Sequence, residues 1–245
     1  MERSIKHLYG EKIGALDGEI GHVKDFYFDD QSWIVRYLVV ETFTWLTGRM
    51  VLLAPNAFVN FDEDGVSRGV NLTRQQIADS PALATHKPVS RQFQEEYYLY
   101  YGWPDYWNGD GLSGLSTISN PEPTSKDHSS PPLHRDVPSP QSPDAHLRST
   151  QALNNYHIET SEGPIGHVTD FIVDGKIWAI THVVIETGQW LCSKEIVISP
   201  KQIERISYTE SKIFVSVTKD DILNGAHFHL APWVFNGSPL STVYL

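Results

Sequence analysis

Short apolar runs alternate with polar breaks along this chain, and within the runs the buried-to-exposed period is two. Ile20–Phe28, Ile34–Glu41 and Arg49–Leu53 are β-branched and aromatic stretches of strand length. Asp29-Asp30-Gln31-Ser32 and Asp174-Gly175-Lys176 are polar breaks between such runs. Asp62-Glu63-Asp64-Gly65 predicts a loop between Phe58–Phe61 and Val66–Leu72. At Thr73-Arg74-Gln75-Gln76-Ile77 the pattern changes to a helix start, with Thr73 as N-cap and Gln76 at the reciprocal position.

The same pattern occurs twice. Shifted by 145 positions, residues 17–77 overlay residues 162–222 without a gap, with 18 identities in 61 positions. Gly18, Ile20, Gly21, His22, Val23, Asp25 and Phe26 meet Gly163, Ile165, Gly166, His167, Val168, Asp170 and Phe171. Trp33, Glu41, Thr42 and Trp45 meet Trp178, Glu186, Thr187 and Trp190, and Thr73 meets Thr218. Most remaining pairs exchange one apolar residue for another. Two copies of one small domain follow, each a set of short strands closed by a short helix, which is the pattern of a small barrel.

The copies are joined by two unlike segments. Asn120–Pro143 holds seven of the fifteen prolines with little to bury, and reads as an extended linker. Arg91–Trp107 holds eight aromatic residues, with Phe93, Tyr97 and Tyr101 at helical spacing before Gly102 and Pro104. The expected organisation is a first barrel over 1–80, an aromatic docking segment over 81–107 and a Pro/Ser-rich linker over 108–150. A second barrel over 151–226 and an apolar tail over 227–245 complete it.

Composition narrows the function classes. The 245 residues are 40% hydrophobic and 20% charged, enough to bury a core. Lys and Arg total 19 against 30 Asp and Glu, a net charge of −11. That balance argues against nucleic-acid binding and against attachment to an anionic bilayer, both of which need clustered cations. The lone Cys192, whose counterpart is Thr47, excludes an intramolecular disulfide or a cysteine-cluster metal site. Met1–Gly10 has no signal-peptide core and no apolar run reaches spanning length, so a cytoplasmic protein is expected, with membrane association only through a partner.

Asp17-Gly18-Glu19-Ile20-Gly21-His22-Val23-Lys24-Asp25-Phe26, Tyr37-Leu38-Val39-Val40-Glu41-Thr42, Trp45-Leu46, Arg49, Val51-Leu52-Leu53 and Leu72-Thr73-Arg74 carry a resemblance. Together they resemble the PRC-barrel family, the domains shared by the photosynthetic reaction-centre H subunit and bacterial ribosome maturation factors. The second copy has the same signature from Gly163 to Ser199, and Tyr97–Trp107 and His146-Leu147-Arg148-Ser149 are similar to tandem PRC-barrel proteins of bacteria. The resemblance implies a six-stranded antiparallel barrel in each copy and an adaptor or assembly role, with a tie to electron-transport membranes.

Candidate chemistry is sparse. Gly109-Asp110-Gly111-Leu112-Ser113-Gly114 has phosphate-loop spacing but neither the preceding strand nor the following helix that the chemistry needs. His22 and His167 lack a metal-ligand pattern, and alternation puts His22 with Lys24 on the face opposite Val23. His227-Phe228-His229 is a pair of imidazoles and no more. The repeated acids Asp25, Asp170, Glu41 and Glu186 have no nucleophile and base at a recognisable spacing, and read with Gly21, Gly166, Trp45 and Trp190 as structural repeat positions. No catalytic, cofactor-binding or metal residue is assigned.

The expected fold is mainly β: two small antiparallel PRC-type barrels with short helices after their last strands. The expected function is a non-enzymatic adaptor or assembly protein that binds a protein partner, linked to photosynthetic or other electron-transport complexes. A small-ligand or metal-responsive module and a ribosome-assembly factor are the alternatives. Partner contacts are assigned to Phe93, Tyr97, Tyr101, Trp103, Tyr106, Trp107, Trp233 and Phe235, because Tyr and Trp are favoured interface anchors. The aromatic segment reads equally as a lid on the first barrel. A homodimer through residues 93–107 or 228–245 is expected, against intramolecular docking of both segments. The two copies are expected to face each other as a pseudo-two-fold pair.

Overall fold

A computed structural model of the chain describes residues 2–42, 44–46, 48–58, 69–81, 91–103, 146–187 and 194–224. The expected loop at 62–65, the linker at 120–143 and the tail at 227–245 lie outside the described residues, as do Cys192 and residues 109–114. Two compact units are present. The first joins residues 1–79 to residues 146–245 and the second covers residues 80–145.

The first copy runs β1 (Glu2–Ser4), α1 (Ile5–Leu8), β2 (Lys12–Ala15), β3 (Gly18–Asp29), β4 (Ile34–Thr42), β5 (Met50–Leu53) and α2 (Arg74–Ala78). The second unit contributes α3 (Arg91–Tyr101). The second copy runs β6 (Leu147–Ser149), α4 (Thr150–Leu153), β7 (His157–Thr160), β8 (Gly163–Asp174), β9 (Ala179–Thr187), β10 (Lys194–Ile198), β11 (Ile203–Ser207), β12 (Lys212–Val215) and α5 (Lys219–Asn224). The fold is mainly β, and the described strands form one twelve-stranded, curled half-barrel sheet of order β11-β12-β7-β8-β9-β4-β3-β2. The strands of both copies are therefore hydrogen-bonded into a single network. Within each copy the described pairing is antiparallel except for β12 on β7 and, in the first copy, the isolated bridge of Gly14 with Gly69, which are parallel.

Burial exceeds the alternation of a one-sided sheet: residues 37–40 of β4, 51–53 of β5, 171–173 of β8, 183–185 of β9 and 196–198 of β10 are buried at every position. Val23, Phe26 and Phe28 of β3, Val35, Tyr37 and Leu38 of β4 and Val51 and Leu53 of β5 are buried in the first copy. Val168, Phe171, Val183, Ile185, Ile196 and Ile198 are buried in the second. α2 begins where expected: Thr73 accepts from the Gln76 amide while the Gln76 side chain accepts from the Thr73 amide. The counterpart helix is capped by Thr218, which accepts from the Asp221 amide at 3.1 Å.

The expected two-fold relation is present, and it is built by exchange. β1 of the first copy pairs antiparallel with β8 of the second, with Glu2 opposite Asp174 and Ser4 opposite Ile172. β6 of the second copy pairs with β3 of the first, with Leu147 opposite Asp29 and Ser149 opposite Tyr27. Each pairing is the other shifted by the repeat length. Between these arms β4 meets β9 at Ile34 and Ala179. The Val35 amide donates to the Trp178 carbonyl at 2.7 Å, and the Ile180 amide donates to the Trp33 carbonyl at 2.7 Å. Trp33 and Trp178 hold φ of 58° and 56°, a left-handed conformation that is costly for a bulky residue and that persists only where its surroundings impose it. Here the imposed contact is the junction of the two copies.

Candidate functional site

The repeated acids stand at this junction. Asp25 of β3, only 8% exposed, accepts from the amides of Phe26 at 2.8 Å and Gln151 at 3.0 Å. It also accepts from the hydroxyls of Ser149 at 2.5 Å and Thr150 at 3.1 Å. Burial lifts its pKa above the ordinary carboxylate value, and the four donors partly oppose that rise. Asp170 does the same across the two-fold: it accepts from the Ser4 hydroxyl, the Lys6 amide at 2.9 Å and the Phe171 amide at 2.7 Å. Each acid of one copy thus caps the first helix of the other. Tyr9 bridges the two arms with a hydroxyl contact to Thr150 of 2.8 Å, and burial drives its hydroxyl well above the usual range.

Gly21 and Gly166 are fixed by proximity. A Cβ on Gly21 would lie 1.9 Å from the Glu41 carbonyl oxygen, and one on Gly166 would lie 2.1 Å from that of Glu186. The expected outward face of β3 is also present. His22 Nε2 and Lys24 Nζ both reach Glu41, at 3.0 and 2.8 Å, and the Lys24 hydrogen bond first of all holds the Glu41 carboxyl low. In the second copy His167 stands 3.8 Å from Glu186, and Thr169 replaces the lysine. Trp45 donates from its indole nitrogen to the Ile20 carbonyl at 2.6 Å, beneath the Arg74 guanidinium at 4.4 Å. Its counterpart Trp190 lies outside the described residues.

The aromatic segment forms a cluster within its own unit. α3 ends at Gly102, whose φ is +66°; the Gly102 amide donates to the Leu99 carbonyl at 3.2 Å and the Trp103 amide to that of Tyr98 at 3.0 Å. This reversal folds Trp103 back on the helix. Its ring stacks on Tyr101 with centroids 4.5 Å apart and meets Tyr97 at 5.8 Å. Tyr97 meets Tyr101 edge-on at 4.9 Å, as their four-residue spacing predicts. Tyr97 and Tyr98 are buried, while Leu99 is 83% and Tyr100 42% exposed. The sequence reading missed those two exposed positions. The Phe93 side chain and residues Tyr106, Trp107, Trp233 and Phe235 lie outside the described residues.

A cleft of about 390 Å³ lies at Trp33 and Ile203. In the second copy Trp178 packs against Phe58, ring centroids 5.2 Å apart. The position related to Phe58 by the repeat is Ile203, and there Ile203 and Trp33 line an open cleft with Asp30, His146, Arg148 and Arg205. Asp30 binds Arg148 Nε at 2.5 Å through one oxygen and His146 Nδ1 at 2.9 Å through the other, and the Arg148 guanidinium lies 4.6 Å from the Tyr208 ring centroid. None of the cleft residues was assigned a role from the sequence.

No group of His, Cys, Asp and Glu able to hold a metal is found among the described residues. None of their helices is long and apolar enough to cross a membrane. In comparisons with known proteins, no family model and no curated protein matches this chain.

Proposed function

We propose that this chain is a tandem PRC-barrel adaptor that binds a protein partner and performs no catalysis. The observation that carries the reading is the face of α3, where Leu99 and Tyr100 stand exposed beside the interlocked rings of Tyr97, Tyr101 and Trp103. Aromatic side chains already held by their neighbours lose little entropy on docking, which is the property of an interface anchor. The repeated acids support the non-enzymatic half, since Asp25 and Asp170 are committed to capping helices and Glu41 to binding Lys24. The resemblance to the reaction-centre H subunit directs the search to photosynthetic and other electron-transport complexes.

The test is affinity capture from native extract with the full chain and with the double variant Leu99→Asp, Tyr100→Ser. Subunits of a membrane electron-transport complex, retained by the parent and lost by the variant, are expected. Equal capture by both refutes the role of α3, and a ribosomal assembly complex would select that alternative. Light scattering of the same samples tests the proposed homodimer; a monomer across micromolar concentrations refutes it. The cleft favours a second reading, a site for a small anionic ligand on Arg148, tested by loss of ligand-induced thermal shifts in Arg148→Met.

A further inference from the structure

The two arms carry one short sequence. Arg3-Ser4 and Arg148-Ser149 are identical pairs, each followed four residues after the serine by Leu8 or Leu153. Each arm adds a three-residue strand to the other copy, then turns into a single helical turn. The serine caps its own turn and also donates to the aspartate of the other copy, and the amide two residues later completes the capture. Ile5 and Leu8 of the first arm, and Thr150 and Leu153 of the second, are buried. None of these contacts uses a residue between 80 and 145.

We infer that arm and receptor form a homotypic recognition module: each half of the chain binds, as a separate molecule, a repeat that presents a matching Arg-Ser-x-x-x-Leu arm. The receptor consists of the end of β3 or β8 and its aspartate, Asp25 or Asp170, and docking buries the arm's leucine, Leu153 or Leu8. Its natural occupant is the other half of this chain, and its partner class is a second repeat of the same kind. Covalent linkage then serves to raise local concentration, while recognition resides in the arms. This inference stands apart from the adaptor reading.

The test is co-expression of the whole chain as two pieces divided after Ser130, with an affinity tag on the first piece only. The second piece is expected to co-purify in equal amount, giving a particle of the same mass as the intact chain in solution. Combining Asp25→Ala with Asp170→Ala in the pieces should reduce recovery at least about fivefold, by loss of both caps. A soluble tagged piece that emerges alone overturns the inference. The intact chain supplies a second readout that does not depend on either piece being soluble. Asp170→Ala should speed hydrogen exchange at the Lys6 amide, and Asp25→Ala at Gln151, roughly five- to tenfold, each across the two-fold. Unchanged exchange at both amides equally overturns it.

Discussion

Replacing Gly21 by alanine tests the closest backbone approach in the first copy. The new Cβ would lie 1.9 Å from the Glu41 carbonyl oxygen, where about 3.0 Å is the nearest that real Cβ atoms come. That atom belongs to the β4 backbone, so relief requires β3 and β4 to part by more than an ångström. The parting falls at Gly21 opposite Thr42 and His22 opposite Glu41, so the ladder bonds there are lost with it. Overpacking of this kind costs about 1–3 kcal/mol, and two lost ladder bonds about 1 kcal/mol each. The expected destabilisation is about 3–5 kcal/mol, a fall in melting temperature on the order of 10 °C. Gly166→Ala should behave alike, since its Cβ would meet the Glu186 carbonyl at 2.1 Å. Thermal and urea unfolding followed by circular dichroism measure both. Gly10→Asn is the control: Gly10 has φ of +80° and nothing within 4 Å of an added Cβ, and its counterpart Asn155 already holds φ of 69°. It should change stability by less than about 0.5 kcal/mol. A cost for Gly21→Ala under about 1 kcal/mol, or one no larger than the control, refutes the argument.

Asp25→Ala strands the Phe26 and Gln151 amides in a buried site and should cost about 2–4 kcal/mol, whereas Asp25→Asn, which keeps an acceptor oxygen, should cost far less. The folded-state pKa of Asp25 lies above its unfolded value, so its favourable share of stability is complete below the unfolded pKa and is lost as pH rises through the folded one. Unfolding curves in that acid window should show the parent losing stability relative to Asp25→Asn as pH rises; a difference independent of pH refutes this. Gly102→Ala should weaken the end of α3 by about 1 kcal/mol, because φ there is +66°. Faster exchange of the Trp103 amide checks it, and an unchanged rate counts against it.

The local elements were legible because their causes are local. The capping box at Thr73 and Gln76, the helix end at Gly102 and the shared outward face of His22 and Lys24 each depend on residues within four positions. The repeat predicted paired copies, but strand exchange brings Ser4 to Asp170, 166 positions away, beyond any periodicity. One signal was present and unused. The overlay extends upstream, where Arg3-Ser4 meets Arg148-Ser149, Leu8 meets Leu153 and Ile13 meets Ile158. The acids Asp25 and Asp170 were read as structural repeat positions, and their partners in the opposite copy lay outside the reach of a strand-by-strand reading. The cleft was invisible for a different reason: its lining comes from residues 30–33, 146–148 and 203–206, segments that no local pattern brings together.

The exchange also sets an order of events at the ribosome. β1 is made long before its receptor strand β8, which ends at Asp174. At about 5–20 residues per second, β1 waits roughly 10–30 s for that strand to be synthesised. Throughout that interval Ile5 and Leu8 lack the pairing that buries them, and the end of β3 that will receive Ser149 is an unpaired edge. The first copy cannot be finished until the second copy's receptor strand exists, and until then its unpaired edge and uncovered apolar side chains are open to aggregation.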